Sequence, residues 1–454
     1  HPRAVYAPLK GSSAGSSDAG KEAMGAFCFP PVLLAPGEET SYIILLGMED
    51  DKEEILSLAE RYSTSDKVKK AFDETKTYWQ NQTAVSFHTG NPAFDCWMKW
   101  VCFQPFLRRL FGCSFLPHHD YGRGGRGWRD LWQDCLSLLF MEPQGVGKMI
   151  AANFGGVRID GTNATIIGSS DGSFFADRNG ISRVWMDHAL WPLMTTKLYI
   201  DQTGDIEILN QTVAYFKDGQ AMRGTAVDHL WKPGDGNEQR TNENQVYQGS
   251  ILEHLLIQNL TSFFETGAHN LCRLRDADWN DALDMASEHG ESAAFTCAYA
   301  GNLLDLSALI RLLEASTKLS SVDLLEELSL LLDNTPEIFE DTEKKQEILA
   351  DYTVRCRHTV SGKKKRFSLS SLALNLTEKA NWLMNFIRRK EWINGKHDDG
   401  WFNSYYDNHK QAVEGIVNDQ VRMMLTGQVF SIMSGVAENS HIQKIVKSAD
   451  RYLY

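Results

Sequence analysis

The sequence predicts a mainly α protein whose helices close into an α/α toroid, and two observations carry that expectation. From about residue 90 to the end of the 454-residue chain, apolar residues recur at the three- and four-residue spacing of helices. The stretches between these segments are rich in Gly, Trp and Asp, as expected of loops at the funnel end of a toroid.

The first 66 residues are of another kind. Phe27-Cys28-Phe29 runs into Pro30-Pro31, and Ser41-Tyr42-Ile43-Ile44-Leu45-Leu46-Gly47 is a β-branched run of strand type. These are expected to be the last strands of a β-sandwich, with residues 11–20 as a Gly/Ser/Ala-rich loop. Helical spacing begins near Asp51, with Ile55, Leu56, Leu58 and Ala59 on one face. Residues 67–89 form a helical linker, its helix over 68–79. Residues 90–454 form the toroid, which counted this way lacks its last helices. Expected helices cover 91–110 (kinked by Pro105), 131–140, 184–202, 205–216, 250–266, 296–317, 322–334, 342–351, 371–390, 417–436 and 442–452. Lys363-Lys364-Lys365-Arg366 is expected in a solvated loop.

Composition narrows the function. A formal net charge of −13 disfavours nucleic acid and anionic membranes as partners. An anionic ligand would need a local basic cluster. No apolar run reads as a membrane span, and the first residues do not form a signal peptide. None of the eight cysteines forms a C-x-x-C pair, which predicts buried free thiols in a reducing compartment, the cytoplasm by default.

Two clusters stand out. Leu274-Arg275-Asp276-Ala277-Asp278-Trp279-Asn280-Asp281-Ala282-Leu283-Asp284 packs acids around one indole. The indole of Trp279 suits the apolar face of a pyranose, with a carboxyl at the ring edge. The competing reading is a helix entry capped by Asp276 or Asp278, with Trp279 in the core. The second cluster, residues 118–134, reads HHDYGRGGRGWRDLWQD. Arg123, Arg126 and Arg129 recur every three residues and can converge on a phosphate or carboxylate if the segment is a loop. Asp130 and Asp134 offer acceptors, and Trp128 and Trp132 offer stacking faces. A turn whose Arg and Asp residues pair at the surface fits the same letters. His118 and His119 are adjacent and point apart in an extended chain, so a metal is not expected. A third stretch, Trp185 with Asp187 and His188, either lines a cleft or supplies core and cap.

Gly127-Trp128-Arg129-Asp130-Leu131-Trp132-Gln133-Asp134 resembles the R-D-x-x-Q-D motif of the inverting phosphorylases of glycoside hydrolase family 94. Asp278-Trp279-Asn280-Asp281 resembles that family's D-W-N-D motif, which carries the general acid. Glu253-His254-Leu255, Gly400-Trp401-Phe402, Tyr405-Tyr406-Asp407 and the segment from Gln428 to Gly435 fit as well. The wording of residues 118–196 is most similar to 1,2-β-oligoglucan (sophorooligosaccharide) phosphorylases. The resemblance implies an (α/α)6 barrel, β-glucan oligosaccharide and phosphate as substrates, and no metal or organic cofactor. It implies Asp281 as general acid, with Arg129, Asp134, Trp279, Asp278, Asp187 and Trp185 around the sugar and Arg123 and Arg126 at phosphate. An inverting hydrolase on the same barrel would need a second carboxyl as base, for which Asp187 or Glu291 would serve. A non-catalytic glucan-binding chain is a further alternative, and a homodimer is an open option.

Overall fold

The computed structural model describes residues 19–20, 27, 29–47, 49, 51–83, 85–111, 127–168, 170–177, 184–280, 283 and 286–453. The chain divides into two compact units, residues 1–80 and 81–454.

The helix Lys52–Arg61 lies in the first unit and Ser65–Gln82 begins there, and both form where the spacing placed them. Asp51 caps the first by accepting from the Glu53 N–H at 2.8 Å. The strands expected over 27–47 are not there: no described residue of that stretch is in a strand. Residues 41–47 are exposed, so their β-branched character finds no ladder to join.

The second unit is mainly helical. Its helices are Pro92–Phe111, Trp128–Met141, Val146–Phe154, Trp191–Thr203, Ile251–Phe264, Ala293–Thr317, Pro336–Glu340, Thr342–Arg355, Leu369–Lys390, Leu425–Met433 and Asn439–Tyr452. Side chains write several of the starts. Ser250, Ser292, Asp341 and Ser368 each accept a backbone N–H from the first turn of the helix that follows. Ala293–Thr317 packs along Leu369–Lys390, and Ser307 ties them by donating to the Ala373 carbonyl at 2.7 Å. Ala293–Thr317 is long and apolar enough to cross a membrane, contrary to the sequence expectation; 78% of its most apolar window is buried inside the protein. Ile251–Phe264 is buried at every position and so lies inside the helical assembly rather than on it.

Four expected helices are wrong in part. Residues 184–190 make bridges and turns, and the helix starts only at Trp191, one residue before Pro192, which suits a first turn. Residues 205–216 give a short 3-10 turn and then the strand Thr212–Ala214, which pairs with Gln248–Ser250. Residues 321–325 are a strand paired antiparallel with Lys364–Ser368, so Lys364, Lys365 and Arg366 of the basic run expected in a loop lie in a ladder. There Arg366 meets Asp323 at 3.0 Å, both exposed. Residues 415–422 form a hairpin ahead of Leu425–Met433.

The described cysteines are free thiols, all buried except Cys96. Cys28 and Cys113 lie outside the described residues.

Candidate functional site

The Trp128–Met141 helix delivers the first group. It buries Trp128, Leu131, Trp132, Asp134, Cys135, Leu138 and Leu139. Trp128 and Trp132 are therefore core residues, not sugar platforms: four apart on a helix, they fall on the face that packs inward. Trp132 meets Phe154 edge-on at 4.9 Å, and the Trp128 indole N–H donates to the His188 carbonyl at 2.9 Å. Asp134 is buried on the same face.

Arg129 points elsewhere. Its Nε donates to Asp187 Oδ2 at 2.7 Å and its Nη2 to Asp187 Oδ1 at 3.3 Å. The same Nη2 donates to the Asp278 carbonyl at 2.6 Å. One guanidinium thus ties the two acidic or basic clusters together with the segment between them. Its cationic centre also lies 5.9 Å from the Trp185 ring centroid. Asp187 is fully buried and accepts additionally from the Trp191 indole at 2.8 Å. Burial pushes its carboxyl up, and Arg129 works against that shift. Three donors thus converge on its two oxygens from within the protein. His188 is buried too, its Nδ1 3.0 Å from Asn163 Oδ1.

The described first part of the acidic stretch, residues 274–280, is held as an irregular loop. Asp276 Oδ2 accepts from the Val184 N–H at 2.6 Å, and Met186 N–H reaches the Ala277 carbonyl at 2.9 Å. Trp279 is exposed, so the part of the competing reading that puts it in the core fails. Arg275 enters the loop at φ 58°, a left-handed conformation unusual for an arginine. Its guanidinium and that of Arg223 close on one buried carboxylate, Glu265. Burial alone would raise Glu265, but the two cations hold it at about 2.

Asp278 is buried. Its Oδ1 accepts from the Asn280 N–H at 2.8 Å and its Oδ2 from the Ser292 hydroxyl at 3.1 Å. Ser292 meanwhile accepts from the Phe295 N–H at 3.1 Å, so one hydroxyl both caps Ala293–Thr317 and anchors the loop. Burial pushes the Asp278 carboxyl up to about 6 against those donors, and the nearby Asp187 adds to the shift. Tyr405, opposite Ser292 in an antiparallel pair, is raised by burial and by the Asp278 charge. Glu414 is buried close by and is pushed up to about 7. Trp279 turns its ring outward and is 55% exposed, so it is not a core residue. Trp185 is half-buried and bridges to Arg275 and Ala277.

Of the residues singled out from sequence, Arg129, Asp187, Trp185, Asp278 and Trp279 fall in one neighbourhood, with Asp134 on the helix that carries Arg129. Asp281, Arg123 and Arg126 lie outside the described residues, as do His118 and His119. Sequence reasoning missed Ser292, Glu265 and Arg275 as scaffold. Only Arg275 and the Tyr405-Tyr406-Asp407 triplet had a local signal.

Residues 78–237 match the catalytic domain of the glycosyl hydrolase 94 superfamily. That agrees with the resemblance drawn from the motifs. The chain is similar, at 21% identity over 427 residues, to solabiose phosphorylase of Paenibacillus borealis, covering 92% of this chain and 42% of that protein. It is 22% identical over 454 residues to 3-O-beta-D-glucopyranosyl-beta-D-glucuronide phosphorylase of the same organism, covering 97% and 45%. It is 24% identical over 293 residues to cyclic beta-(1,2)-glucan synthase NdvB of Rhizobium meliloti (strain 1021), covering 62% and 9%. The chain therefore spans less than half the length of each of these relatives.

Proposed function

We propose that this protein is an inverting glycoside phosphorylase that cleaves β-1,2-linked oligoglucans with inorganic phosphate. Two phosphorylases among its relatives support the reaction class, and the β-(1,2)-glucan synthase supports the linkage. A phosphate oxygen attacks the anomeric carbon of the terminal glucosyl unit. The glycosidic C–O bond breaks, and Asp281 gives its proton to the departing oxygen. Inversion yields α-glucose 1-phosphate and a glucan one unit shorter, and the reaction is reversible. Arg123 and Arg126 bind phosphate; Arg129, Asp134, Asp278, Trp185 and Trp279 shape the sugar subsite. No organic cofactor takes part. The helices belong to an (α/α)6 barrel over 90–454, with a linker over 67–89 before it, in a cytoplasmic enzyme.

One observation carries phosphorolysis over hydrolysis. A hydrolase needs a second carboxylate free to activate water. Asp187 is fully buried against Arg129 and Trp191. Glu291 is fully buried too and accepts from His269 N at 3.0 Å and Leu271 N at 3.1 Å, with the His269 ring at 2.8 Å. Both candidate bases are buried and hydrogen-bonded within the protein, which disfavours either as a base, whereas phosphate arrives already anionic and needs none. Asp281→Asn should abolish turnover and leave oligosaccharide binding within about twofold; a near-normal rate removes Asp281 from the acid role.

A further inference from the structure

A cleft of about 440 Å³ lies apart from these residues, lined by none of them. Its walls come from residues 217–244 and from His358 and Thr359. Its volume falls within the range of small-ligand sites.

The walls are built, not incidental. Lys217 and Asp228 are both buried and pair at 2.8 Å. Asp228 Oδ2 also holds His358 Nδ1 at 2.8 Å, and Lys217 donates to the Arg357 carbonyl at 2.8 Å. Lys217 thereby retains a third N–H, and the outer edge of the half-exposed His358 ring keeps its Nε2. Trp231 stands in the wall with its indole N–H tied to the Gly236 carbonyl at 3.0 Å. Gly219 lies against the Cε3–Cζ3 edge of the ring, where an added Cβ would sit at 3.4 Å, in ordinary contact. The indole is thus tied to the wall through its N–H.

The lining chemistry selects the ligand. The lining carries Lys217, Arg240 and His358 as well as Asp235 and Glu238, together with Asn244 and Thr359. Opposed charges of similar number give no net field to attract an anion, but they supply donors and acceptors side by side. One indole among such groups matches a pyranose, whose face is apolar and whose rim carries hydroxyls. We propose that this cleft is a second carbohydrate site, which holds a distal hexose unit of a neutral oligoglucan by stacking on Trp231. This rests on the glucan reading above: the cleft would retain a long chain while its end is cleaved.

Sophorotriose and glucose 1-phosphate, titrated separately into the intact protein and its Trp231→Ala variant and followed by ligand-observed NMR, test the inference. Phosphorolysis is measured in parallel on short and long chains. Trp231→Ala should lose saturation transfer from one set of sugar protons and weaken that binding about tenfold or more. Turnover of the shortest substrate should persist, while the KM for long chains rises. Glu238→Gln should weaken sugar binding without disturbing the fold. Sugar binding unchanged in both variants overturns the proposal, as does a cleft that takes glucose 1-phosphate but not sophorotriose. If phosphorolysis is absent yet Trp231-dependent binding persists, the enzymatic reading fails and the carbohydrate cleft stands.

Discussion

Arg129 donates to the backbone carbonyl of Asp278 at 2.6 Å, across 149 residues of chain. The same side chain neutralises the buried Asp187, so the geometry of the acidic loop depends on an ion pair whose carboxylate is fully buried. Arg129→Ala would leave Asp187 buried and unpaired, at a cost of about 3–5 kcal/mol. Arg129→Lys restores the charge but not the fork that reaches Asp187 and the Asp278 carbonyl together. Denaturant unfolding should rank wild type above lysine above alanine. Equal stability of all three would mean that the pair does not hold the loop.

Asp278 predicts a pH dependence of stability. Its folded-state pKa, about 6, lies above the ordinary value of 3.8. Between those values the unfolded chain has released the proton and the folded chain has kept it. The stabilising contribution is therefore full below about pH 4 and is lost as pH rises through about 6, on the order of 3 kcal/mol. Asp278→Asn should flatten this part of the stability profile and gain relative to wild type at pH 7. Parallel profiles for the two proteins would contradict the assignment.

Lys345 gives the opposite slope. Its ammonium is buried 4.3 Å from the Phe263 ring centroid and 4.4 Å from that of Trp382, donating to Asn270 Oδ1 at 2.7 Å. Burial lowers its pKa from 10.5 to about 7. As pH falls from 10.5 the unfolded chain gains a proton that the folded chain refuses until about 7, so stability declines over that window and levels below it. Lys345→Met should raise the melting temperature at pH 7 and reduce the slope. Lys379, buried nearby and also lowered to about 7, keeps part of it. A lower melting temperature for the methionine variant would show that the amine stabilises more than its burial costs.

The long helices were legible because burial imposes a period that survives in the residues. The 371–390 and 296–317 expectations differ from the helices Leu369–Lys390 and Ala293–Thr317 only near their starts. Pairings set by distant residues were not legible. Val322, Leu324 and Leu325 read as helix because nothing local shows that Lys364–Ser368 lies beside them. Trp128 and Trp132 read as stacking faces, with the helix expected only from 131, whereas it begins at Trp128 and turns both inward. In the site, the motif letters pointed to Arg129, Asp278 and Trp279. Ser292 anchors Asp278 from a strand fourteen residues on, and no spacing rule points to it.

Phosphate dependence tests the central claim most directly. The protein would be incubated with sophorotriose, with and without inorganic phosphate, and both glucose 1-phosphate and free glucose assayed. The account predicts α-glucose 1-phosphate only when phosphate is present, and none from Asp281→Asn. Glucose released at the same rate without phosphate would contradict it and return Asp187 or Glu291 to the role of a base.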